Sequence, residues 1–219
     1  MKKATLIIFI SIFYGLYSCN IFHKCFKPGE VLVIQPGTKD GIDAYIENWP
    51  GENYSNRNWG DYDAFAAVAW TAHGDPLTVR CLLKFDLHKI CTKNPIYKAI
   101  LSLYSVSTPG IGTGHSAMSG SNKFVLVKVT SPWDEHKVTW NTQPSFTEED
   151  AILLPATTSE NQDYLDIDIT KMVQDMIRNP KKNYGIMIKL SNEEYYRRVI
   201  FGSSDNNDPM KRPKLVIQF

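Results

Sequence analysis

Val79-Arg80-Cys81-Leu82-Leu83-Lys84-Phe85-Asp86-Leu87 decides the fold class of this chain. Cys81, Leu83, Phe85 and Leu87 alternate with Arg80, Leu82, Lys84 and Asp86, and a period of two places one set on a core face and the other on the opposite face of a strand. Working outward, short runs rich in Val, Ile, Tyr and Phe recur between clusters of Gly, Pro, Asn and Asp. They predict strands at Val31 to Gln35, Asp43 to Glu47, Ala64 to Trp70, Val79 to Leu87, Lys98 to Val106, Phe124 to Val129, Tyr164 to Ile169, Tyr184 to Leu190, Val199 to Ser203 and Lys214 to Phe219. That spacing predicts an antiparallel all-β sandwich or barrel rather than βαβ units. One helix is expected at Lys171 to Arg178, N-capped by Thr170, with Met172, Val173, Met176 and Ile177 on its apolar face and Asn179-Pro180 as its stop.

The N-terminus reads as a secretory signal, 1–18: Met1-Lys2-Lys3, then an apolar run from Ala4 to Tyr17 too short to span a bilayer. It closes with Leu16-Tyr17-Ser18-Cys19, which looks like a bacterial lipobox, so Cys19 is the expected lipidation site. The alternative is an ordinary signal peptide with a chance cysteine. Lipid anchoring implies a chain attached to a membrane rather than spanning it. The expected organisation is a lipidated tether over 19–30 and one domain over 31–219, on the periplasmic face of the outer membrane or at the cell surface. With Lys2 and Lys3 removed, 24 basic residues become 22 against 23 acidic ones, a net charge of −1 that draws no nucleic acid. Cys25, Cys81 and Cys91 contain no Cys-x-x-Cys pair, so zinc and thioredoxin readings lack support. Cys81 reads as a small core residue, and Cys25 with Cys91 as the pair an oxidising compartment would test.

Ser131-Pro-Trp-Asp-Glu-His-Lys-Val-Thr-Trp-Asn-Thr-Gln-Pro144 is long and unusual: two tryptophans, Trp133 and Trp140, bracket an acidic pair. With Arg80 to Leu87 upstream, and Ser203-Ser204-Asp205 and Arg212-Pro213-Lys214-Leu215 downstream, it resembles the DNRLRE-type domain. That domain is also classified as carbohydrate-binding module family ninety-six and is related to repeats of disaggregatase proteins. The resemblance runs from about Pro36 to Phe219, in the right order. It implies a jelly-roll-like β-sandwich that binds polysaccharide, has alginate-binding relatives and carries no catalytic centre.

The residues themselves speak against an enzyme. Gly112-Thr-Gly-His-Ser-Ala117 follows Pro109-Gly110 rather than a strand, so it reads as a flexible loop and not as a dinucleotide fingerprint. The five histidines show no zinc spacing. Asp134 and Glu135 would point to opposite faces of a strand and cannot flank one glycosidic bond; they read as a cap pinning the turn between the tryptophans. Tyr195-Tyr196-Arg197-Arg198 holds the residue types of a polysaccharide lyase without its other motifs.

Alternation offers one outward cation on several strands: Arg80, Lys84, Lys128, Lys189 and Arg198. If these faces belong to one sheet they form a basic stripe suited to an acidic glycan such as alginate, with solvation of an open sheet face as the plain alternative. Trp49, Tyr54 and Trp59 are the stacking candidates, in a loop rich in Gly, Asn and Asp. No cofactor is required; a structural calcium on Asp205-Asn206-Asn207-Asp208 with Asp40 and Asp43 is an expectation from ligand type, against simple turn chemistry. The functional expectation is therefore non-catalytic polysaccharide binding by a lipoprotein. A structural or adhesive surface role, or a lyase, are the competing classes.

Overall fold

A computed structural model describes residues 24–91 and 93–219; the signal peptide expected over 1–18 and the lipidation expected at Cys19 lie outside the described residues. In chain order the strands are β1 (Val31–Ile34), β2 (Asp43–Asn48), β3 (Ala64–Ala72), β4 (Asp75–Leu83), β5 (Lys98–Leu103), β6 (Ser116–Ala117), β7 (Phe124–Val129), β8 (Phe146–Leu154), β9 (Tyr164–Asp168), β10 (Ile186–Leu190), β11 (Arg197–Gly202) and β12 (Lys214–Gln218), with one helix, α1 (Thr170–Arg178), after β9. β1, β12, β5 and β9 form a four-stranded sheet in that order. The larger, curled sheet runs β6-β11-β3-β4-β10-β7-β8, with β2 paired to β4. Every ladder between these strands is antiparallel. The all-β, jelly-roll-like sandwich with one short helix is the fold.

Alternation drives the packing. Leu101 and Leu103 of β5, Leu215 and Ile217 of β12, and Leu126, Ile188 and Phe201 of the larger sheet share one core, which Met172, Val173, Met176 and Ile177 of α1 complete. Cys81 and Leu83 belong to that core, as expected, and the Cys81 thiol points to the Ile188 carbonyl. The opposite face of β4 is covered too. Leu82 joins Ala44, Ile46, Val127, Val129, Val138 and Met187 in a second core, with Trp133, Trp140, Phe146 and Tyr184 packed on it. Burying a side chain of this size stabilises by about 1.5–3 kcal/mol, so the second core is a substantial part of what holds the sheet.

Four local findings depart from the sequence expectations. β4 starts at Asp75, because the turn is the two-residue His73-Gly74 hairpin, whose φ values of 52° and 93° match a type I′ turn, and Asp75-Pro76 is already strand. β8 was not expected, since Phe146-Thr-Glu-Glu-Asp-Ala-Ile-Leu-Leu154 carries a run of acids. It survives as an edge strand whose ladder with β7 is interrupted between Leu126 and Lys128, and Asp150 sits at φ 61° in the interruption. Thr170 is the first helical residue rather than the N-cap, and its hydroxyl accepts from the Ala99 N–H of β5. Residues 24–30 are joined to the domain: Phe26 stacks on Phe219 at 4.1 Å, and Gly29 N–H donates to the Phe219 carbonyl.

Candidate functional site

The Ser131 to Pro144 segment, between β7 and β8, is the lid of the second core. Its Val138 is buried beside Leu82, and the Trp133 indole N–H donates to the Tyr184 carbonyl at 2.7 Å. Asp134 builds the turn, accepting from the His136 N–H and pairing with Lys137 at 3.0 Å. Thr139 and Thr142 exchange capping hydrogen bonds around a 3-10 turn, Trp140–Thr142. Glu135 has a different task from Asp134: its Oε1 accepts from the Asp43 N–H of β2 at 2.8 Å, while its own carbonyl accepts from Asn58 Nδ2 at 2.7 Å.

That contact completes a cluster. Oxygens of Asp43, Glu135 and Asp205 lie within 4.8 Å of one another, close enough to share one hard cation. Asp43 is 1 % exposed, accepts from the Ser204 N–H, and burial pushes its carboxyl up to about 7. Burial likewise raises Glu135 and Asp205 above the ordinary carboxylate range. Of the set expected for calcium, Asp43 and Asp205 meet here. Asp40 and Asp208 instead serve their own turns, accepting from Gly37 and Met210 N–H. Glu135 was missed because its reach to β2 crosses 92 positions of sequence.

The five cations all lie in or beside the larger sheet, yet they do not share a face. Lys128 is opposite Ile186 of the main core and pairs with Asp175 of α1 at 3.5 Å, while its neighbours Val127 and Val129 face the second core. Arg198 is held by a loop: its Nε donates to the Gly114 carbonyl at 2.8 Å and its guanidinium lies 4.9 Å from the Trp70 ring. Lys84 follows the end of β4, half-buried, its N–H on the Ile42 carbonyl. Arg80 and Lys189 do converge. Arg80 grips Glu193 through Nε at 2.8 Å and Nη2 at 2.9 Å, and Gln143 through Nη1. Its guanidinium stands 4.8 Å from the Trp140 ring and 6.0 Å from Phe146, and Lys189 Nζ stands 5.8 Å from the same Phe146 ring while pairing with Glu148 at 3.5 Å.

The stacking candidates are brought together more closely than their loop suggested. Trp49 lies 4.5 Å from Tyr54, Tyr54 6.0 Å from Trp59, and Trp59 stacks on Tyr45 of β2 at 5.1 Å and 14°. The loop read as flexible is pinned: His115 is 1 % exposed, its Nδ1 accepts from the Ile200 N–H, and its Nε2 meets the Gln162 carbonyl. His115 is thus a core residue whose burial lowers its basicity.

Rings and cations carried on the sheet faces of a β-sandwich define a ligand-binding module, in which a rigid scaffold presents side chains to an extended ligand. The family model of carbohydrate-binding module family 96 matches residues 38–219, and the chain belongs to that family. Carbohydrate binding, in a family that is generally non-catalytic, is accordingly what the module does. No curated protein matches the chain at a significant level.

Proposed function

We propose that the chain is a bacterial envelope lipoprotein, lipidated at Cys19, that captures an acidic polysaccharide such as alginate without cleaving it. The observation that carries this reading is the convergence of Arg80 and Lys189 on Phe146, beside Trp140. A uronate offers a pyranose face to the ring and a carboxylate to the cations, and arginine takes a carboxylate through two parallel N–H donors. Glu193 and Glu148 now occupy that role, so the ligand displaces them; Glu148, 69 % exposed, can swing into water. Lys84 extends the basic surface, whereas Lys128 and Arg198 act through the fold. The calcium expectation is carried forward as a structural ion on Asp43, Glu135 and Asp205, supported by their spacing and by the burial of Asp43.

The test is calorimetric titration of the full chain in detergent micelles with alginate and with a neutral glucan, at low and moderate salt, following product absorbance in the ultraviolet. Salt-sensitive heat with alginate and flat absorbance are expected. Rising absorbance would make the protein a lyase, and silence with alginate would move it to the adhesive class.

A further inference from the structure

A second set of rings occupies the other face of the larger sheet. Arg198, Val68, Val79 and Glu47 lie opposite one another across β11, β3, β4 and β2, so they share a face. Trp70, two residues beyond Val68, shares it, as does Tyr45, two residues before Glu47. Ile46 and Arg80, paired across β2 and β4, point the other way, toward the second core and Phe146. On the Glu47 side the ladder Tyr45-Trp59-Tyr54-Trp49 extends outward, and Trp49 ends on His73 of the hairpin turn at 5.8 Å. On the Arg198 side Trp70 meets Tyr196 edge-on at 5.2 Å. Three interstrand spacings, about 14 Å, separate β11 from β2, the reach of a short oligosaccharide.

Further in, Val68, Val79 and Tyr45 of this face belong to the main core, but at its hairpin end Trp49, Trp70 and Leu77 are only half-buried. Two observations set that end apart. The indole N–H groups of Trp49 and Trp59 are buried without a hydrogen-bond acceptor among the described residues. Orphaned buried donors are rare in native folds, and each calls for a reason. Beside them Glu47, only 8 % exposed, places a carboxylate on the same face, and burial pushes its carboxyl up to about 7, moderated by Arg57, whose guanidinium lies 3.8 Å from the Tyr54 ring. Tyr196 adds a third mark: a non-glycine residue held at φ 67°, with a ring 39 % exposed, is the kind of strain that functional surfaces retain.

We infer that this face is a second carbohydrate site, built for an uncharged pyranose chain. Sugar faces stack on Trp70, Tyr196 and Trp49, the half-buried Trp49 ring turns to bring its N–H to a ring or hydroxyl oxygen, and a hydroxyl donates to Glu47. Hydroxyl groups supply both partners at once, which an aliphatic ligand does not, and an uncharged chain brings no carboxylate against that of Glu47. The inference rests on the carbohydrate-binding reading of the family and is independent of the acidic glycan placed at Phe146.

The full chain in micelles is titrated with cello-, xylo- and manno-oligosaccharides, reading tryptophan emission and heat, alone and with saturating alginate. Binding of at least one neutral oligosaccharide is expected, insensitive to salt and undisplaced by alginate. Trp49→Ala and Trp70→Ala are expected to weaken it about tenfold. Trp49→Phe, which keeps a ring and loses the N–H, and Tyr196→Ala, at an exposed position, test the site where the larger truncations fail to fold; both are expected to weaken binding severalfold. Silence with all neutral oligosaccharides while alginate binds overturns this site and leaves the Phe146 reading standing. Unchanged affinity in both Trp49→Phe and Tyr196→Ala also overturns it, whereas silence with alginate alone removes only the Phe146 reading.

Discussion

The two proposed sites, on opposite faces of the larger sheet, differ in how their polar groups are satisfied. At Phe146 the cations arrive already satisfied: Arg80 has Glu193 and Gln143, and Lys189 has Glu148. On the other face two indole N–H groups, those of Trp49 and Trp59, are buried against rings with no acceptor among the described residues. A ligand at the first face exchanges one ion pair for another, so its gain is small and falls with salt. At the second face it fills vacant hydrogen bonds, and the gain is larger and indifferent to ionic strength. Charge on a surface is thus a weaker sign of a binding site than polar atoms left without partners.

Four measurements would break or sharpen that contrast. The largest effect is expected from Trp133→Ala, which removes a ring from the second core and the donor to the Tyr184 carbonyl. A loss of about 3 kcal/mol, read from the urea midpoint, is expected, together with loss of alginate binding as the lid beside Phe146 loosens. Full stability in this variant would show that the lid is not what holds the outer face in place.

Acidity probes one face alone, since Asp43 and Glu47 point the same way from β2. In the folded chain Asp43 keeps a proton up to about 7 that the unfolded chain releases near 3.8. Between those values the folded state binds more protons, so stability falls as pH rises through the window and its cost is complete above about 7. Thermal unfolding should move to higher temperature on going from neutral pH toward pH 5. Asp43→Asn should flatten that slope, and added calcium should restore stability at neutral pH after chelation. Glu47, also raised to about 7, contributes in the same direction, so Glu47→Gln should take a further share of the slope. A slope untouched by either substitution would locate the titration elsewhere.

A smaller change is expected from Lys189→Ala: alginate binding weaker by a few fold at low salt, with the difference shrinking at moderate salt. A salt-independent loss would mean that Lys189 acts through packing on Phe146 rather than through charge. The smallest effect concerns residues 24–30, where Cys25 and Cys91 lie close enough for one thiol to hydrogen-bond the other, raising Cys25 and lowering Cys91. Mild oxidation should consume two thiols per chain and leave glycan binding unchanged, as counted by thiol titration; three reactive thiols in the folded chain would contradict the burial of Cys81.

Much of the fold was legible because it is local. Strands β1, β2 and β7 and the apolar face of α1 follow directly from periodicity, and Trp49, Tyr54 and Trp59 were readable as loop rings. β8 escaped because Glu148, Glu149 and Asp150 suit an edge strand that discourages pairing with other chains, and acids of that kind read as loop or helix. The five cations were visible, but not their partners: Glu193 lies 113 positions from Arg80.

Residue periodicity by itself determined an all-β sandwich or barrel and which residues enter its main core, while the motifs around Trp133 and Trp140, by resemblance, implied the sandwich and the glycan. Only the tertiary structure decided that the outer face of β4 is buried under the Ser131 to Pro144 lid, that Asp43, Glu135 and Asp205 converge, and that Trp70 and Trp49 share a face. Alternation fixes which way a side chain points within its own strand, whereas register and sheet order fix what it meets. Those are set by the closing of long loops around a common core, and no local pattern encodes them.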